Sequence, residues 1–213
     1  MPVTQILSAV GRTGSDPTAN TLNGTFTFNG SNATWDTING NYPFSDNGTA
    51  DYVVTSNVGV CNEISVNLWF YPRALDRILM TEQGANIETT VYHYTMLEID
   101  AAGYIRGRVW DGAGATWATS LNTVTLNKWN HIYLSYSTGA GVIISLNGAS
   151  GVQAASIVRV PPTNTYIGVG AYSSTYIAAT NRFIGKFDDL RISNTGEGSS
   201  FSSTFGNYAM GGI

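Results

Sequence analysis

From residue 63 the chain alternates without a break. Ile64, Val66, Leu68 and Phe70 fall on one side and Ser65, Asn67, Trp69 and Tyr71 on the other, until Pro72 stops the run. A period of two predicts a central strand with one buried face. The same rhythm returns along the chain, broken by turn residues roughly every 8–12 positions. It predicts further strands around Phe26 and Phe28 and at 50–55, 77–81, 90–100, 104–110, 128–136, 142–146, 156–160, 166–169 and 183–192. Ala102-Gly103 and Asn147-Gly148 supply tight turns. No segment keeps a helical period over three turns, and 24 glycines oppose one. Alternation slips at Asp188 and Asp189, which predicts a bulge whose backbone donors these carboxylates satisfy.

Many short strands with regular turn signals predict an all-β fold, a two-sheet antiparallel jelly-roll β-sandwich. Residues 1–20, broken by Gly11, Gly14 and Asp16-Pro17, read as an N-terminal arm. Residues 21–194 form the sandwich, and residues 195–213 a Gly- and Ser-rich tail. Phe201, Phe205, Tyr208 and Met210 give that tail a reason to pack on something.

Composition narrows the function classes. With 213 residues and 43% hydrophobic side chains the chain buries a sizeable core in one domain. Charged residues are only 11%, so the surface is mostly neutral and polar, which suits sugars or close protein packing. Net charge is −4 and the ten basic residues are scattered, so no nucleic-acid partner is expected. No apolar run reaches the ~20 residues of a membrane span, and a soluble protein is expected. The single cysteine, Cys61, excludes an intrachain disulfide and a cysteine zinc site, and predicts a buried inert thiol. The first residues carry no basic and apolar leader pattern, so no secretory signal is expected. Sequons at Asn23, Asn29, Asn32 and Asn47 are then incidental.

Seven motifs stand in an order that resembles the laminin-G-like domains of the concanavalin A-like lectin and glucanase superfamily. They are the strand 63–72 ending in Pro; Ile78-Leu79-Met80-Thr81; the hairpin 97–109; the Trp-X-His strand at Leu126-Asn127-Lys128-Trp129-Asn130-His131; 142–148 ending in Asn-Gly; Tyr166-Ile167-Gly168; and 183–194. The resemblance implies the sandwich fold and recognition through surface loops. Trp69 and Trp129 read as packing in or over the core, and His131 as a hydrogen-bonded strand histidine.

Glucan hydrolases of the same superfamily carry Glu-X-Asp-X-X-Glu on their active strand. Here Glu98-Ile99-Asp100 is followed by Ala101, Ala102 and Gly103, so the third carboxylate is missing. No Gly-X-Ser-X-Gly, Walker or His-Glu-X-X-His motif occurs. A non-enzyme is therefore expected, without a cofactor; calcium is the ion the resemblance admits. Ligand-binding candidates are aromatic and polar loop residues: Trp110, Asp111, Trp117, Tyr172 and Tyr176. The expected role is a virion surface or structural protein, such as a bacteriophage head decoration, fibre or tail component. It reconciles a family that works outside cells with a chain lacking an export signal and cysteine pairs. Its partners would be other virion proteins, copies of itself and cell-surface polysaccharide. A stand-alone carbohydrate-binding module is the first alternative, and a glucanase-like hydrolase the second.

Overall fold

The computed structural model describes residues 5–9, 26–29, 34–35, 44–47, 52–55, 59–84, 93–112, 116–152, 154, 157–170, 183–193 and 196. They form two antiparallel sheets. The first contains β1 (Gln5–Ala9), β3 (Thr34–Trp35), β4 (Phe44–Asn47), β6 (Ile64–Pro72), β11 (Asn130–Ser137), β12 (Gly141–Leu146), β13 (Ala149–Ser150) and β15 (Ile184–Ser193). Its order is β13-β12-β11-β6-β15-β4-β3, with β1 also paired to β15. The second contains β2 (Phe26–Asn29), β5 (Tyr52–Thr55), β7 (Arg77–Gln83), β8 (His93–Ile99), β9 (Tyr104–Gly107), β10 (Ala118–Thr123) and β14 (Tyr166–Gly170). Its order is β10-β9-β8-β7-β14-β5-β2. Among the described residues there is no helix.

The core lies between the sheets and follows the alternation. Ile64, Val66, Leu68 and Phe70 are fully buried, opposite Tyr136, Leu134, Ile132 and Asn130 of β11 in register. Ile105 and Gly107 face inward from β9; a Cβ on Gly107 would strike Leu134 and approach Ile144 of the other sheet, so this glycine lets the layers close. The turn at Asn147 and Gly148 has φ of 53° and 82°, the left-handed pair that a two-residue hairpin needs. The bulge in β15 lies where alternation slips, between Asp188 and Arg191 on the β6 side.

Several expectations are corrected. The arm contributes strand β1, paired with β15 from Gln5 opposite Ser193 to Ala9 opposite Leu190, because the edge of β15 has backbone groups to satisfy. Residues 157–160 keep the alternating pattern, with Ile157 and Arg159 buried and Val158 and Val160 exposed, yet they are not a strand. Their backbone donors are taken elsewhere: Arg159 N–H donates to Tyr136 Oη (2.9 Å) and Val160 N–H to the Trp110 carbonyl (2.8 Å), just before Pro161 and Pro162. The strand expected over 104–110 ends at Gly107; that expected over 90–100 is described as His93–Ile99, its first three residues lying outside the described residues. β3, β4, β10 and β13 were not foreseen.

Candidate functional site

The outer face of the second sheet gathers charge and an aromatic ring. With Ile105, Gly107 and Val109 buried, alternation turns Arg106 and Arg108 outward, and both are half-buried. Register places Arg106 between Glu98 of β8 and Thr119 of β10. Its guanidinium lies 3.3 Å from the Glu98 carboxylate. Arg108 Nε–H donates to the Thr95 carbonyl at 2.9 Å.

Trp117, immediately before β10, lies against both cations. The guanidinium carbons of Arg106 and Arg108 are 4.5 and 4.1 Å from its ring centroid. Each such contact contributes about 0.5–1 kcal/mol at a partly exposed site, because the ring quadrupole attracts the cation. Two like charges are thereby held side by side. Burial raises the Glu98 carboxyl above its ordinary value, while Arg106 and then Arg108 oppose that rise.

Trp110 and Trp117 flank one loop. Trp110 is half-buried, packs against the core margin and accepts from Val160. Asp111 is half-buried beside Gly112, which is exposed at φ 89°. Tyr172 and Tyr176 lie outside the described residues. Arg106, Arg108 and Glu98 had not been counted among the ligand candidates. The hairpin could have found them: a turn at residues 101–103 sets Glu98 opposite Arg106 by counting back from Asp100 and Tyr104.

The hydrolase-like pair has other partners. Asp100 Oδ1 accepts from the Ala102 and Tyr104 N–H groups, both at 2.9 Å, and so pins the β8–β9 turn. Glu98 faces a cation rather than a second acid, whereas retaining hydrolysis needs two carboxyls about 5–5.5 Å apart. Among the described residues no group of three His, Cys, Asp or Glu is placed to hold a metal.

Other buried polar groups read as structural. Arg159 donates to both oxygens of Glu82 and, through Nε, to the Cys61 carbonyl at 2.7 Å. Burial pushes the Cys61 thiol up to about 11, so at neutral pH it is a protonated, inert group. His131 is buried on the outer side of the first sheet, hydrogen-bonded to Asn67 Oδ1. Trp69 and Trp129 also lie on that outer side, not between the sheets.

An antiparallel sandwich of two large sheets with polar and aromatic outer faces defines the concanavalin A-like class. Residues 47–196 match the laminin-G family of the concanavalin A-like lectin/glucanases superfamily, and the chain belongs to that family. Its fold is similar to domain 4 of AbnA, a GH43 extracellular arabinanase from Geobacillus stearothermophilus solved in complex with arabinotriose. That likeness has a TM-score of 0.61 and 17% identity over 94% of this chain and 97% of that one. It is similar also to the botulinum neurotoxin serotype G binding domain, at TM-score 0.69 and 15% identity, where 95% of this chain spans half (50%) of the other. A heptameric pentraxin from Limulus polyphemus matches at TM-score 0.59 and 11% identity, over 81% of this chain and 79% of that one. No curated protein matches the chain in sequence. No helix among the described residues is long and apolar enough to cross a membrane.

Proposed function

We propose that the protein is a non-catalytic carbohydrate-binding module that holds a glycan against the outer face of its second sheet. The observation that carries this reading is the Trp117 indole held beside the paired guanidinium groups of Arg106 and Arg108, with Glu98 adjoining. Sugars present apolar C–H faces and a dense ring of hydroxyls. A partly exposed indole among fixed donors and a carboxylate acceptor answers both. The binding-domain and arabinotriose-bound neighbours support the same reading, although fold alone does not assign function. Trp117→Ala is expected to weaken binding to a glycan-array hit at least tenfold, a loss of about 1.4 kcal/mol. Its thermal midpoint should stay within a few degrees of the parent. Unchanged affinity would remove this face from the reading.

A second reading concerns assembly. Val158 and Val160 are 74% and 48% exposed on the outward side of one extended segment, which favours contact with other virion proteins or further copies of the chain. The low charged content of the chain, 11% of its residues, fits a place on a virion surface. Native mass analysis should then find the chain in a large symmetric particle. A monomer at all concentrations, never copurifying with particles, would remove that setting and leave glycan binding intact.

A further inference from the structure

The outer face of the first sheet carries an aromatic ledge that the glycan site above does not use. Along β6 the inward side chains are Val66, Leu68 and Phe70, so Trp69 and Tyr71 project outward. Further along that face Asn67, Tyr133, Ser135 and Ser145 are buried. The face emerges at the Pro72 end of β6: Trp69 and Tyr71 are half-buried, and Trp129 is 37% exposed.

The rings are braced against one another. Trp129 meets Tyr71 edge to face, with centroids 5.7 Å apart at 70°. Trp69 tilts onto His131 at 4.9 Å, and His131 is locked by its hydrogen bond to Asn67. An upright indole against a neighbouring phenol ring makes a corner with two apolar walls. Rigid aromatic walls lose little side-chain freedom when a ligand arrives.

Two exposed amides flank this corner. Asn127 N–H donates to the Pro72 carbonyl at 2.8 Å, which anchors its turn beside Tyr71. Asn147 exchanges bonds with the His131 backbone, its Oδ1 accepting at 2.7 Å and its N–H donating at 2.8 Å, while its Nδ2 donates one hydrogen to Asn130 Oδ1 at 3.2 Å and keeps a second for a ligand. Both asparagines stand at positive φ, 55° and 53°. Register sets Lys186 opposite Tyr71, and the exposed Lys128 directly precedes Trp129. Apolar ring faces beside amide groups match the C–H faces and hydroxyls of a sugar better than an ion or a wholly apolar partner.

We propose that Trp129, Tyr71 and Trp69, with Asn127 and Asn147, form a second saccharide-contact surface, on the sheet opposite the Trp117 site. The bivalent consequence rests on the glycan reading above. Two sites on opposite faces of one sandwich let a single chain join two polysaccharide strands.

The test uses the full chain, shown to be monomeric by light scattering, with beads coated separately with linear arabinan, xylan, galactan and mixed-linkage glucan. The parent is expected to bind one coating and to cross-link those beads. Trp117→Ala and Trp129→Ala should each still bind, at least tenfold more weakly, and should not cross-link. The double variant should not bind, while thermal midpoints within a few degrees of the parent show that every variant is folded. Trp129→Ala that binds and cross-links like the parent overturns the second surface and spares the first. Loss on Trp129→Ala with no effect of Trp117→Ala supports the second surface and overturns the first. A parent that binds no coating counts against both.

Discussion

Arg159→Met is expected to lower the stability of this sandwich by about 3–5 kcal/mol, because it strands the Glu82 carboxylate in the interior. Glu82 shares its face of β7 with the register position of Ile167, which is fully buried, so the carboxylate points between the sheets. The Arg159 and Glu82 side chains are 1% and 0% exposed, and the guanidinium fork meets both carboxylate oxygens. Its Nε is spent on the Cys61 carbonyl, and its backbone N–H on the Tyr136 hydroxyl. The pair thus ties residues 157–160, which have no ladder of their own, to β7, β11 and the start of β6. Removing one charge leaves the other buried without its counter-ion. Replacing both, as Arg159→Met with Glu82→Leu, should recover most of the loss, since an apolar pair of similar size carries no desolvation cost. Urea unfolding of the two single variants and the double variant measures this coupling directly. Additive single effects would contradict it.

Acid should destabilise the fold through His131. Burial without a compensating charge pulls its imidazole down from 6.5 to about 4. Between those values the unfolded chain takes up a proton that the folded chain refuses. The histidine's contribution is therefore fully present above pH 6.5 and is lost as pH falls toward 4. The slope is about 1.4 kcal/mol per pH unit, so the loss approaches roughly 3 kcal/mol. Carboxylates titrate in the same window, which is why the informative quantity is the difference between the parent and His131→Gln. Glutamine keeps a donor for Asn67 and has no proton to gain. Stability measured from pH 7 to pH 4 should fall less steeply in the variant; parallel curves would show that His131 does not carry the effect.

Much of the architecture could be read one segment at a time. A hydrophobic side chain at every second position can bury only one face of a strand, so Ile64 to Phe70 announced their own burial. Asn147-Gly148 announced a hairpin because few residues tolerate left-handed dihedrals in succession. Even the juxtaposition of Glu98 and Arg106 was implicit in the length of the turn between them. Residues 157–160 show the limit of such reading. Alternation records which side is buried, but it says nothing about which partner takes the backbone bonds; here a tyrosine hydroxyl and a loop carbonyl stand where a neighbouring strand was expected.

Sequence alone determined the class of fold, the inward and outward sides of the main strands, the protonated isolation of a single thiol and the absence of a complete acidic triplet on the Glu98 strand. These depend on covalent order, local sterics and the period of side chains along a strand. Tertiary structure decided what meets across long separations. Arg159 lies on Glu82, 77 residues away, and His131 on Asn67, 64 away. The Trp117 ring lies beside two arginines, and Trp129 stands against Tyr71 on an outer sheet face. Such contacts follow from strand order and from sheet stacking, in which residues with no local reason to meet share one small volume.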